Sequence, residues 1–324
     1  MCLIHSNESM YEALQQLDPI KINFSASGMH AINIILSFIM FGVALGIKPA
    51  EFKTLIKQPK SLILGLISQV IALPLVTFIV IIALNNYITP TVAMGMILVA
   101  SCPGGNISNF MSSLSKANTE LSVGLTATTT LLATITTPFN FAFWGGLYVN
   151  FISKHAKHML QPLEIDNGQM FETVFILLGI PLVIGIFFSH YFPKITEKLK
   201  KPIQILSIVF FIAMVVMAFA NNFDLFLKYI FFIFIIVLVH NLLALATGFS
   251  IASIFKLPNA DRRTLTIETG IQNSGLGLVL LFNPKIFPPE LALGGMLFIT
   301  AWWGIWHIIS GLSLSLYWNK IDPK

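Results

Sequence analysis

Glu268 is the one carboxylate among the chain's 14 that falls well inside a long apolar stretch. The other acids lie in tails, in loops or at the ends of apolar runs; Glu120 sits at the inner end of one such run. A carboxylate at membrane depth costs at least a few kcal/mol unless something compensates it, so such residues are functional by default. Arg262 and Arg263 precede it by more than a helical turn, and no lysine is closer. Its expected partner is therefore a bound cation or a proton. Oxygen-bearing side chains suited to a hard cation recur elsewhere in the apolar runs. Ser122 and Thr126 are four apart and share a helix face. Ser108 and Asn109 follow a Pro-Gly-Gly break, and Gln69 is a lone amide in an apolar run.

These residues sit on elements that read as membrane spans. Hydrophobic residues make up 56% of the 324, charged residues only 10%, and the mean hydropathy is +0.82. A soluble chain carries roughly a quarter charged residues, so the composition implies an all-α polytopic membrane protein with no large soluble domain. Apolar runs long enough to cross a bilayer predict nine transmembrane helices, at about 29–47, 61–84, 89–116, 118–146, 169–191, 202–220, 226–254, 260–283 and 291–317. With the N-terminus outside, 14 of the 19 basic residues fall on the inner side and 5 on the outer. The positive-inside rule then predicts the C-terminus in the cytoplasm. That topology accounts for the net charge of +5 without nucleic acid. Residues 1–28 read as a polar extracytoplasmic tail without the apolar core of a signal peptide. Trp144, Tyr148, Trp302 and Trp318 are expected as interfacial anchors.

Two stretches interrupt the apolar pattern. "SCPGGNISNFMSSLS" (101–115) and "TIETGIQNSGLG" (266–277) set glycines beside amides and hydroxyls at membrane depth. Irregular backbone is tolerated there only inside protein or beside a wet cavity. Spans 1–4 and 6–9 run in opposite directions, and the broken segment is the third in each set. That order predicts an inverted repeat with a central transport site at the two discontinuous helices.

"SCPGGNISN", "ETGIQNSG" and the span bearing Gln69, "SQVIALPL", together resemble the bile acid:sodium symporter family. The likeness runs in order and spacing from "MFGVALGIKPAEF" (40–52) to the end of the chain. The resemblance implies two discontinuous helices that cross within a core domain (about 61–146 and 226–317), which moves against a panel domain (about 29–47 and 169–220). It implies one sodium site at Ser108, Asn109, Ser122, Thr126 and Glu268, and a second at Gln69, Glu268, Gln272 and the carbonyls of Thr269 and Ile271. The single span before Gln69 is similar to the nine-span animal members, not the ten-span bacterial ones, which leaves the first repeat one helix short.

Two sodium ions around one carboxylate leave one surplus positive charge, which a monovalent carboxylate or sulfonate would balance. The expected function is sodium-coupled uptake of an organic anion, a bile acid or a smaller amphipathic acid, across the plasma membrane by alternating access. Asn106, Asn273, His240, Asn241 and His307 are candidate substrate contacts. A proton-coupled carrier or exporter using Glu268 as its proton site is the nearest alternative, and a channel is a second. No HExxH motif and no pair of acids at membrane depth appears, so no enzyme is expected. No cofactor is implied beyond sodium as the coupling ion. Cys2 and Cys102 are not expected to pair, and His155 with His158 lacks a third metal ligand. Asn7-Glu8-Ser9 and Asn23-Phe24-Ser25 are glycosylation sequons on the outer side.

Overall fold

The computed structural model describes residues 9–21, 34, 37–42, 44–46, 58–155, 167–220, 223–288 and 290–323. Most of the first expected span, both sequons, Cys2 and the His155–His158 pair lie wholly or partly outside these residues. Among the described residues the secondary structure is helical, and the only extended pairing is two isolated bridges, Lys21 with Ala292 and Gly104 with Gln272.

The elements, in order, are α1 (Met10–Gln15), α2 (Pro59–Ala83), α3 (Pro90–Ser101), α4 (Ile107–Leu114), α5 (Thr119–His155), α6 (167–191), α7 (Pro193–Ala220), α8 (Phe223–Ile254), α9 (Asn259–Gly270), α10 (Ser274–Leu281) and α11 (Gly294–Asn319). Three of them, α2, α8 and α11, are long and apolar enough by length and composition to cross a membrane. The molecule is organised as a membrane protein should be, with its polar side chains inside. On α2, Ile63, Ile67, Ile71, Leu75 and Ile79 form one exposed stripe at four-residue spacing, while Ser61, Ser68, Gln69 and Thr77 on another face are buried. Water would reject such a stripe, whereas lipid solvates it.

Helix α2 widens into a π-helical segment at Ile67–Ala72, where Leu73 N–H reaches back to Ser68 O. The cause lies just downstream. Pro74 has no N–H to give Val70 O, and Asn140 Nδ2 on α5 donates to that carbonyl at 2.9 Å. A second π segment, Phe175–Gly179 in α6, likewise ends two residues before a proline, Pro181. Helix α5 has 37 residues, about 55 Å at 1.5 Å per residue, far more than one bilayer core.

Helix α8 packs tightly against α9. A Cβ on Gly248 would lie 2.4 Å from Leu265 O, so only glycine lets the two backbones approach this far. Tyr148 corrects the expectation of an interfacial anchor: it is fully buried in the main apolar cluster, under the N-terminal segment that carries Tyr11 and Asp18. Trp144, Trp302 and Trp318 are half-buried, packed on Phe78, Phe226 and the Arg263 guanidinium respectively.

The N-terminal segment is docked on the core. A capping box between Ser9 and Glu12 starts α1, and Ala13, Leu14 and Leu17 are fully buried. Leu293 N–H donates to Ile20 O at 3.0 Å. Asp18 Oδ1 accepts from Thr89 Oγ1 at 2.9 Å and from Thr91 Oγ1, at the start of α3.

Candidate functional site

Helices α3 and α9 both stop at breaks, and the chain resumes after each as α4 and α10. The two breaks cross and bind each other through backbone alone. Gly105 N–H donates to Ile271 O at 2.7 Å, Asn273 N–H donates to Pro103 O at 2.8 Å, and Gly104 bridges Gln272. The carbonyls and amides freed by the unwinding thus satisfy one another in part, as buried backbone must.

Glu268 lies in the last turn of α9, fully buried. Its Oε1 accepts from Ser108 Oγ (2.5 Å), from Ser122 Oγ and from Thr126 Oγ1 (3.1 Å), and its Oε2 accepts from Thr126 Oγ1 (3.0 Å). Asn109 Oδ1 accepts from the same two hydroxyls of α5, at 2.9 Å from Ser122 and 3.2 Å from Thr126. The one-turn spacing of Ser122 and Thr126 lets a single helix face serve both acceptors. Five side chains therefore bring together two carboxylate oxygens, one amide oxygen and three hydroxyl oxygens. One hydrogen per hydroxyl cannot serve every acceptor contact at once. An oxygen cluster short of hydrogens suits a hard cation.

A second group of oxygens lies on the far side of the same carboxylate. Gln69, in the π segment of α2, is buried beside Glu268 with no hydrogen bond of ordinary geometry at either amide atom, and Gln272 is fully buried with Oε1 unpartnered. A Cβ on Gly104 would meet Glu268 Oε2 at 2.9 Å and Gln69 Oε1 at 3.1 Å, so the absence of a side chain there leaves a hollow between the two oxygens. Thr269 O accepts from Gln272 Nε2 at 2.8 Å, and Ile271 O is taken by the Gly105 amide. Each carbonyl keeps a lone pair. Among the described residues no cation pairs with Glu268; the ion pair present is Lys116 with Asp322, at 2.5 Å. Unpartnered buried amides beside an unneutralised carboxylate fit a small cation in this hollow.

A model of the sodium bile acid symporter family matches residues 33–229. The chain belongs to this family. It is similar to the uncharacterized sodium-dependent transporter YocS of Bacillus subtilis, at 32% identity over 293 residues, covering 90% of this chain and 84% of that one. It is also similar to human sodium/bile acid cotransporter 4, at 26% over 307 residues, 91% of this chain and 67% of the relative. A probable sodium/metabolite cotransporter of rice chloroplasts, BASS2, matches at 24% over 277 residues, 82% of this chain. The chain spans 62% of that relative's length, less than two thirds. The family is one of sodium-dependent transporters, so this chain is a membrane transporter and not an enzyme, with sodium the coupling ion of its family.

The remaining candidates of this symporter divide. Asn106 is exposed at the start of α4, and Asn273 caps α10, its Oδ1 accepting from Leu276 N–H at 3.0 Å. Both flank the crossing. Asn241 on α8 has both amide atoms hydrogen-bonded within the core: Nδ2 donates to Gly270 O at 2.7 Å, and Oδ1 accepts from Ser310 Oγ at 2.6 Å. His240 Nε2 meets Thr77 Oγ1 at 2.8 Å with its ring against Trp303, and His307 is buried with Nδ1 unpartnered.

Residues that sequence reasoning did not single out hold the site in place. Arg263 donates to Ser115 O (2.7 Å), Trp318 O (3.2 Å) and Ile321 O (2.9 Å), tying the ends of α4 and α11 to α9. Two residues earlier, Asp261 accepts from Ser61 Oγ at 2.5 Å and Asn118 Nδ2 at 2.8 Å, tying α2 and the start of α5 to the same helix. Opposite charges two residues apart at a helix start signal a buried anchor only once their surroundings are known. Asn140 was more legible, being a lone amide in an apolar run like Gln69.

Proposed function

We propose that this family member couples inward movement of a monovalent organic anion, a bile acid or a smaller amphipathic carboxylate or sulfonate, to two sodium ions sharing Glu268. The observation that carries the reading is the oxygen cluster at the crossing, with one carboxylate at its centre and unpartnered amides on its far side. Ser108, Asn109, Ser122, Thr126 and Glu268 hold one ion. Gln69, Glu268, Gln272 and the carbonyls of Thr269 and Ile271 hold the other. Two half-helices, α3 and α9, end at the crossing with their carbonyl poles, while α4 and α10 begin there with their N–H poles. Carbonyl poles favour cations and N–H poles favour anions. This polarity supports an anion site beside Asn106 and Asn273, with His240, Asn241 and His307 set farther from it in the proposed arrangement.

The core (about 61–146 and 226–317) rocks against the panel (about 29–47 and 169–220) in a nine-span inverted repeat. Residues 1–28 and the N-terminus lie outside the cell, and the C-terminus is cytoplasmic. The stripe of exposed isoleucines on α2 and the basic residues near its Pro59 end support this placement.

The test is uptake of labelled taurocholate and pantoate into proteoliposomes under an inward sodium gradient, with potassium substituted for sodium in parallel, for wild type and Glu268→Gln. Sodium-driven uptake abolished in the variant is the expected result. Uptake indifferent to sodium but driven by a pH step would replace this reading with proton coupling.

A further inference from the structure

Beside the crossing, α2, α3 and α5 border a narrow crevice with room for about one water-sized body. Gln69, Ser101, Thr129, Thr136 and Asn140 contribute its polar walls. Every wall residue but Gln69 has already committed a hydrogen. Ser101 Oγ donates to Ile97 O (2.7 Å), Thr129 Oγ1 to Leu125 O (2.9 Å) and Thr136 Oγ1 to Leu132 O (3.1 Å), each within its own helix. Asn140 Nδ2 donates to Val70 O, the carbonyl stranded by Pro74. What these groups have left to offer is oxygen lone pairs. The only side-chain donors to spare are the Gln69 amide nitrogen and the second hydrogen of Asn140. No lining residue is charged. An anion would need donors or positive charge here and would find almost none, whereas a small cation needs oxygens.

A second observation points to a ligand. Gln69 is only 2% exposed, has no hydrogen bond of ordinary geometry at either amide atom, and lines the crevice. Its Oε1 also borders the hollow over Gly104 that Glu268 shares. One side chain thus joins the crevice to the carboxylate.

We propose that this crevice is a separate cation-binding step on the approach to Glu268, taking a small alkali cation and excluding the anionic cargo. It rests on the sodium-coupled reading above and on the orientation that puts the Asn140 side of α5 toward the outside. Sodium and the anion then reach the crossing by different faces, the cation past Thr136 and Thr129 and the anion past Asn106 and Asn273.

The experiment uses the full chain in proteoliposomes with Cys2→Ser and Cys102→Ala, and Thr136→Cys as reporter. Its thiol is modified with cationic 2-aminoethyl methanethiosulfonate and with anionic 2-sulfonatoethyl methanethiosulfonate, each rate divided by that on a free thiol. The cationic reagent is expected to be faster by about tenfold, the lower range of electrostatic selection in a cleft, and sodium chloride is expected to slow it relative to choline chloride. Equal or reversed reagent preference, or no protection by sodium, overturns the proposal even where uptake by the same liposomes remains sodium-driven. Loss of sodium-driven uptake in wild type would instead overturn the transport reading. A second variant guards against misfolding of the reporter. Thr129→Val should raise the external sodium needed for half-maximal uptake by roughly threefold or more at unchanged substrate KM, and Thr129→Ser should restore it. A change in substrate KM alone would assign the crevice to the anion and overturn the proposal.

Discussion

Gly104 shows how much of this site depends on one missing methyl group. Its Cβ would stand 2.9 Å from Glu268 Oε2 and 3.1 Å from Gln69 Oε1, in the hollow between them. Gly104→Ala should therefore fold and stay monodisperse while losing the rise in Tm that sodium chloride gives over choline chloride. An alanine variant that keeps the sodium-induced rise would show that no ion sits in this hollow. Glu268 and its hydroxyl partners were legible because polar groups stand out in an apolar chain, and because a four-residue spacing fixes which of them share a face. Gly104 was legible only as part of a helix break. Its closeness to Glu268 arises from two segments about 170 residues apart in sequence meeting at a crossing, which no local pattern encodes. Tyr148 went the other way: a tyrosine near a span end suits the interface, but the docked N-terminal segment buries it.

At the scale of elements, the π segment of α2 is held by a bond between helices. Pro74 frees Val70 O, and Asn140 captures it. Asn140→Leu should cost about 1 kcal/mol, within the range of interhelical bonds in membranes. In a Pro74→Ala background the restored N–H can serve Val70 O, so the same substitution should cost less. A double-mutant cycle in thermal or denaturant unfolding checks this; additive costs would mean that proline and asparagine are unrelated. The broken helices were readable from glycines and amides where lipid should be. The widening at Ile67–Ala72 was not, because a proline alone predicts a kink or a break equally well, and the choice depends on a helix 70 residues away supplying the donor.

At the scale of the molecule, charge governs both the cycle and the docking of the N-terminal segment. The proposed cargo of two sodium ions and one monovalent anion would carry one net positive charge, worth about 2.3 kcal/mol per 100 mV. Inside-negative potential should accelerate uptake, as read by a potassium–valinomycin clamp; a flux indifferent to voltage would rule out this stoichiometry. Asp18, bonded from the N-terminal segment to the start of α3, carries a different dependence. Burial raises its pKa, against the lowering effect of its bonds from Thr91 and Thr89, with Tyr11 and Tyr148 the titratable neighbours. The docked form therefore binds its proton more tightly than the free segment does, so docking strengthens as pH falls through the raised value toward the ordinary carboxylate range and weakens as pH rises. Hydrogen-exchange protection over residues 9–21, taken relative to the intrinsic exchange rate at each pH, should rise on mild acidification, and Asp18→Asn should remove that rise. Unchanged protection across this range in wild type would show that Asp18 does not govern docking.

Both ends of the described chain close on the last long helix, and this orders events in time. Ile20 meets Leu293 just before α11. Trp318 and Ile321 just after it supply carbonyls to Arg263, and Asn319 donates to Leu114 O at 2.6 Å. During synthesis Glu268 leaves the ribosome with its hydroxyl partners already made, but neither fastening exists until α11 has followed. A nascent chain must hold a buried carboxylate in an unlatched bundle for the time it takes to add some fifty residues, at about 5–20 per second. That interval of seconds is when this protein is most exposed to the quality control of its host membrane.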